Sequence, residues 1–258
     1  MSRPTSGGGK NVIYLNQTDG ADDNDGLTKA TAVKTIQKAN ELAESHHVKD
    51  ICFTGFYDVT GAEVWDLGGK TIHRGTAGYM IELGDASASL TLGNVVIDAE
   101  NWYPTETGET TDSIIKAANG GTIVLKSGAI LQNNKATQFG SGILANNGVK
   151  ITMEDGAIIR NNSNENYELG GGILIGNGST FTMNGGEISG NSANGGGGVA
   201  VIGASMVMNG GIISNNSTYR TSSQGSYGAG VYVADYANAS GGSRRPSGLR
   251  KTTCFPNS

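Results

Sequence analysis

The stretch Gly171 to Asn191, GGILIGNGSTFTMNGGEISGN, decides the fold, because it returns with edits along the chain. Related starts stand at Ser113, Ser141 and Gly197, and another begins at Gly230. Eight residues after Ile115, Ile143 and Ile173 come Ile123, Ile151 and Phe181, and two further on Leu125, Met153 and Met183. The fourth copy, one residue shorter, supplies Met206 and Met208. A glycine column follows, Gly128, Gly156, Gly186 and Gly211. Next comes an apolar column read as Ile130, Ile158, Ile188 and Ile213, and an asparagine column read as Asn133, Asn161, Asn191 and Asn216. With a degenerate earlier copy carrying Ile81, Leu90, Leu92 and Ile97, about six related rungs result. Self-similarity at such a period marks a stacked, quasi-one-dimensional architecture.

Within a rung the pattern is short apolar-x-apolar alternation broken by glycine or asparagine, which means strands rather than helices. Successive starts lie 28, 30, 26 and 32 residues apart, room for three short strands per coil. Each strand then pairs in parallel with its equivalent one coil along, about 4.8 Å away. The expected fold is all-β, a three-sided right-handed parallel β-helix. The asparagine column has two readings that demand the same stacked corner: an amide ladder along the stack, or tolerance of a left-handed turn conformation.

The rung GG-I/V-x-V followed by T-x-M-N-GG-x-I-x-x-N resembles repeats of right-handed parallel β-helix proteins of the pectin-lyase-like class, particularly bacterial surface proteins and adhesins. The resemblance covers about Ile81 to Val233, and Tyr14 to Ala43 is similar to the opening segment of that class. The F-x-x-N tetrapeptide of polymorphic outer-membrane proteins does not recur here. The class holds polysaccharide lyases, glycoside hydrolases, phage tailspikes and non-catalytic adhesins, so the resemblance implies a fold and leaves the activity open.

Composition agrees. With 42 Gly and 4 Pro in 258 residues and 36% apolar side chains, the chain is turn-rich with a thin core, as one elongated domain requires. The net charge of −5 becomes −9 without the last eighteen residues, which hold four basic and no acidic side chains. That charge argues against nucleic acid as a partner. Cys52 and Cys254 imply no disulfide framework. No apolar run reaches the length of a membrane span, and Met1 to Lys10 lacks the apolar segment of a signal peptide. Either the chain is cytoplasmic or it is a mature or excised piece; the second fits a β-helix better, and the resemblance then implies a longer extracellular or cell-surface bacterial protein.

In order, residues 1–10 read as a flexible leader, 11–50 as a first strand and capping helix, 51–233 as the β-helix, and 234–258 as an irregular basic tail, disordered or truncated. Asp19, Asp22, Asp23 and Asp25 invite a calcium reading, but EF-hand spacing fails. An acidic, solvated turn is favoured, no cofactor is expected, and Ca2+ stays the alternative. Thr28 to Ser45 reads as one helix with Val33, Ile36, Ala39, Leu42 and Ala43 on one face, capped by Thr28 or Thr31 and lying over the open end of the coils. His46 and His47 read as a solvated helix terminus, Cys52 as a small core residue, and His73-Arg74 as an exposed strand end.

Function is sought in the loops between rungs, 101–112, 135–140, 163–170, 193–196 and 217–228, which must emerge in a row along one side. They carry Trp102, Tyr103, Phe139, Tyr167, Tyr219 and Tyr227, rings able to stack on sugars; the competing reading is that these rings fold back over apolar surface. Catalysis needs clustered carboxyls. In the regular rungs no pair of acids recurs beside a base, and Asp98 and Glu100 have only loop neighbours such as Asp112. The string Asn16 to Gly20 is expected to lie away from any coil. The reading is therefore a non-catalytic stalk or adhesin-like module that touches a glycan or host-surface ligand. A polysaccharide lyase or glycoside hydrolase is the alternative. A remoter one is ice binding by Thr122, Thr152 and Thr182 on successive rungs.

Overall fold

The structure is a computed structural model that describes residues 12–100, 110–137, 140–164, 169–219 and 228–234. Over these residues the chain forms a parallel β-solenoid of about six turns with one α-helix near the N-terminus. One coil shows the plan: Ile115–Ala117, then Thr122–Leu125, then Ala129–Gln132, then the two-residue Lys135–Ala136. Stacking each element on its equivalents gives three principal faces and a short corner sheet.

The first face is a seven-stranded sheet from Tyr57–Val59 to Val231–Ala234. The second carries Thr122–Leu125, Lys150–Met153, Thr180–Met183 and Ser205–Met208, the third the strands after the glycine corner. These two faces join through Ala62–Arg74 and Ser89–Asp98, long strands that run along both faces. The register of that pair slips between Asp66 and Lys70, beside Gly68 and Gly69 at φ 60° and 79°.

Alternation puts every second side chain inside. Ile115, Ile143, Ile173, Val199 and Val231 stack in one column, and Ile123, Ile151, Phe181 and Met206 in another. The glycine column Gly128, Gly156, Gly186 and Gly211 turns the chain from the second face to the third at φ between 76° and 85°, a conformation that penalises any Cβ.

Two columns differ from the expected alignment by one residue. The core column of the third face is Leu131, Ile159, Ile188 and Ile213, while Ile130 and Ile158 point outward opposite Glu187 and Ile212. The two earlier coils insert an extra buried residue at the corner, Ala129 and Ala157, so a count from the glycine lands one short. The same offset moves the asparagine column. The inward, stacked residues are Asn134, Asn162, Asn191 and Asn216, whereas Asn133 and Asn161 sit just before the ladder at φ 56° and 54°. Gly190 and Asn215 share that left-handed column. Both readings of asparagine hold, on neighbouring columns.

In the ladder each Oδ1 faces the preceding coil. Asn162 Oδ1 accepts from the Asn134 backbone N–H at 3.0 Å. Asn191 Oδ1 accepts from Asn162 N–H and Nδ2 at 3.0 and 3.1 Å, and Asn216 Oδ1 from the same groups of Asn191 at 2.9 and 3.0 Å. The side-chain dipoles therefore place their negative end at Asn134. There the Arg74 guanidinium donates to Asn134 Oδ1 at 3.1 Å. Arg74 is thus no exposed strand end: it is 3% exposed and surrounded by carbonyls of Thr76, Gly78 and Asp112. Burial brings its pKa down to about 10, which still leaves it charged at neutral pH.

The expected single helix is two pieces. A 3-10 turn, Lys29–Thr31, is capped by Thr28, and helix α1, Ile36–Ser45, by Thr35, whose side chain accepts from Lys38 N–H at 3.2 Å. Val33 breaks the run by pairing as extended backbone with Tyr14 and Asn16. Ile36, Ala39 and Ala43 of α1 join the core under the first two strands, Val12–Leu15 and Asp50–Phe53. His46 and His47 are exposed at its end. Cys52 is half-buried on the outward side, between inward Ile51 and Phe53, and is not a core residue.

Candidate functional site

Alternation also makes ranks outside the coils. On the first face the outward rank runs Asp58, Glu82, Lys116, Leu144, Leu174, Ala200 and Tyr232. Its later part is covered. Leu174 is 7% and Ala200 0% exposed, because the loop returning to the face passes over them at Gly170 and Gly196. A Cβ there would stand 2.7 Å from Leu174 Cβ and 2.9 Å from Ala200 Cα.

The first three members are charged and more open. Glu82 Oε1 meets Lys116 Nζ at 2.8 Å, and Glu82 Oε2 accepts the Tyr79 hydroxyl at 2.6 Å. Lys116 Nζ lies 4.4 Å from the centre of the Tyr79 ring, a cation–π distance. Phe56, 42% exposed, meets that ring edge-on with centroids 5.3 Å apart. The Asp58 backbone is pinned by the Gln17 side chain, which donates to its carbonyl at 2.9 Å and accepts from its N–H at 2.7 Å. The string Asn16 to Gly20 therefore does not lie away from the coils: its Gln17 completes the edge of the first face.

The two carboxyls are driven apart. Burial, then the charges of Glu82 and Asp85, push the Asp58 pKa up, and its Oδ1 is buried without a hydrogen-bond partner. Burial opposes ionisation of Glu82 too, but bonds from Lys116 and Tyr79 with the lysine charge hold its pKa down. Asp112, half-buried nearby, is raised by burial against the pull of Lys116 and Arg74. Asp85 is held low by the hydroxyl and N–H of Ser87.

A second polar rank crosses the third face: Cys52, His73, Asp98, Gln132, Arg160, Ser189 and Ser214. His73 bridges three coils, Nε2 to Asp50 Oδ1 and Nδ1 to Glu100 Oε1, both at 2.7 Å. Asp98 does not depend on loop neighbours: Oδ2 accepts from Gln132 Nε2 at 2.7 Å and both oxygens from Asn133 Nδ2 at 3.0 Å. Arg160 Nε continues the chain to Gln132 Oε1 at 2.8 Å. With both ring nitrogens of His73 engaged, this rank fastens coils and presents no available base.

Of the aromatic residues expected to bind, Trp102, Tyr103, Phe139, Tyr167 and Tyr227 lie outside the described residues. Tyr219, 46% exposed, ties its hydroxyl to Ser192 Oγ at 2.6 Å. Asp22 accepts from the N–H groups of Lys34 and Thr35 and from the Thr35 hydroxyl, all at 2.9 Å. Asp25 accepts from Thr31 Oγ1 and Leu27 N–H. Asp19 takes a 3.4 Å contact from Asn16 Nδ2, and Asp23 is exposed. Among the described residues no group of three or more His, Cys, Asp or Glu is placed to hold a metal ion, and no helix is long and apolar enough to cross a membrane. The threonines expected in one rank divide between two. Thr122 stands with Lys150, Thr180 and Ser205, while Thr152 and Thr182 stand with Val124 and Val207.

The Asp58, Glu82 and Lys116 rank is hidden in the sequence because the coils that carry Asp58 and Glu82 lack the regular glycine and asparagine columns of the strict rungs. Laying Tyr57-x-Val59 and Ile81-x-Leu83 over Ile115-x-Ala117 exposes it.

These columns and ranks define a parallel β-solenoid with a polar, aromatic-edged patch on its first face. Compared with family models, curated proteins and solved structures, the chain matches none.

Proposed function

We propose that this chain is a non-catalytic β-helix module of a bacterial surface or secreted protein, of the pectin-lyase-like kind. It acts as a rigid stalk that binds glycan on its first face. One observation carries the reading: Phe56 stands exposed against Tyr79, beside Asp58, Glu82 and Lys116. An apolar ring face bordered by fixed polar groups is what a pyranose needs, stacking for its C–H face and hydrogen bonds for its hydroxyls. The rings stand just ahead of the first-face strands Tyr57–Val59 and Ile81–Leu83, which anchor them, so binding requires little ordering.

A glycan array with the intact chain and the Phe56→Ala and Tyr79→Ala variants tests this. Binding lost in both supports the site; binding equal to the unchanged protein in both removes it. Parallel replacement of Trp102, Tyr103 and Tyr219 by Ala asks whether the loop row contributes.

Hydrolysis is the second reading, favoured by the opposed shifts of Asp58 and Glu82 on adjacent strands, a pattern that separates acid from base. Against it, both Glu82 oxygens are engaged by Lys116 and Tyr79, so this pair offers one available carboxyl where hydrolysis uses two.

A further inference from the structure

The charges around the Phe56–Tyr79 platform are unbalanced. Among the described residues, Asp58, Glu82, Asp85 and Asp112 have one flexible cation close by, Lys116, which acts on Glu82 and Asp112 and is spent on Glu82 at 2.8 Å. Arg74 also acts on Asp112, but it is buried with its guanidinium on carbonyls and Asn134. Asp85 has Ser87 for a partner. Among the described residues Asp58 has no such relief: its buried Oδ1 is unbonded, and Glu82 stands beside it, one strand spacing along in the next coil. A second anion brought here would meet like charge, whereas a cation would relieve it.

We propose, building on the glycan-binding reading, that this patch selects sugars bearing a free protonated amine over N-acetylated and uronic-acid sugars. The ring face rests on Phe56, the ammonium reaches Asp58, and Glu82, fixed by Lys116 and Tyr79, accepts a hydroxyl. Geometry and charge agree on this class. The aromatic pair supplies a platform that a bare metal ion does not use, and the uncompensated carboxyl supplies what a neutral sugar does not use. A uronate fits the platform and is rejected by the charge.

The test is isothermal titration of the full chain with a glucosamine hexamer, its N-acetylated counterpart, a galacturonate hexamer and, as a charge-only control, oligolysine. The glucosamine hexamer is expected to bind roughly tenfold tighter than the N-acetylated one and to weaken as salt rises. Asp58→Asn should erase most of that advantage by weakening the glucosamine hexamer more than the N-acetylated one, and a circular-dichroism spectrum matching that of the unchanged chain shows that the variant is folded. Phe56→Ala should weaken both hexosamine ligands. Equal affinity for the two, or tighter binding of galacturonate, overturns the selectivity while the glycan site stands. Oligolysine binding as tightly as the glucosamine hexamer, with Phe56→Ala without effect on either, overturns it as well, because charge alone would explain the result. No binding of any sugar overturns the glycan reading itself.

Discussion

The early coils, from Asp50 to Lys116, and the later ones, from Leu125 to Ser214, share one backbone plan and differ in almost everything else. The early core is aromatic: Phe53, Tyr57 and Trp65 meet with ring centroids 5.1 to 6.1 Å apart. Outside it lie the Glu82–Lys116 pair and the His73 clasp. The later core is a set of aliphatic and methionine columns, with Phe181 its one ring among the described residues, closed by an asparagine ladder. From Ile188 to Tyr219 the sequence has no charged residue at all. Repetition explains the contrast. A position that must match its neighbour above and below is held to residues that stack on themselves, and like charges stacked at about 4.8 Å repel. The irregular coils escape that constraint and carry the mixed charges from which a site is made.

The contrast is broken most forcefully by exchanging the roles of two aromatic rings. Phe181, 0% exposed between Ile151 and Met206, closes a strict column. Phe181→Ala should cost about 3–5 kcal/mol, the usual effect of emptying a buried phenylalanine site. Phe56→Ala, at the exposed platform, should stay within about 0.5 kcal/mol. Urea midpoints of the two variants check both values; a stability loss at Phe56 to match that at Phe181 would mean that the platform is core.

The columns also show why some of the molecule was legible in the sequence and some was not. Ile143, Ile173 and Val199 lie over one another as their spacing foretells, because a glycine corner and an apolar-x-apolar strand follow each copy at nearly fixed spacing. The third face misled by one residue, since Ile158-Ile159 and Asn161-Asn162 are doubled and either member satisfies the pattern. A one-residue shift exchanges inside for outside, and only the inserted Ala129 and Ala157 reveal which member is buried. The polar patch was less legible still. Its residues are contributed by Gln17, Phe56, Tyr79, Glu82 and Lys116, far apart in a region without a clean repeat. The His73 clasp joins residues 23 and 27 positions away, so no local motif announces it.

Neighbouring asparagines sharpen the same comparison at smaller scale. Asn191→Leu removes an Oδ1 that serves two donors of Asn162 and an Nδ2 shared by Asn216 and the Ile159 carbonyl. Leaving those buried groups unpaired should cost about 1–3 kcal/mol. Asn161→Gly, at φ 54° in the column that Gly190 also occupies, should change stability by no more than about 0.5 kcal/mol, because glycine accepts that conformation without strain. Denaturant midpoints that ranked Asn161 as the costlier of the two would assign the ladder to the wrong column.

The smallest effect concerns the early coils alone. Burial disfavours a charged His73, yet its hydrogen bonds and charge attraction to Glu100 and Asp50 prevail and raise its pKa. An unfolded histidine titrates near about 6.5. The clasp therefore contributes its full stability below that value and loses it as pH rises through the higher folded value. The chemistry agrees with the sign: a neutral imidazole has one N–H and must release one of two carboxylates that it holds at 2.7 Å. Asp50 and Glu100 remain partly open to water, so the effect should be at most about 1 kcal/mol. His73→Gln stays neutral at every pH. The wild type should be the more stable of the two at about pH 6 and should forfeit that advantage by about pH 9, a difference in which every other titrating group cancels. An advantage that grew with pH would mean that the ring is held neutral, and the three coils would then be fastened by shape rather than by charge.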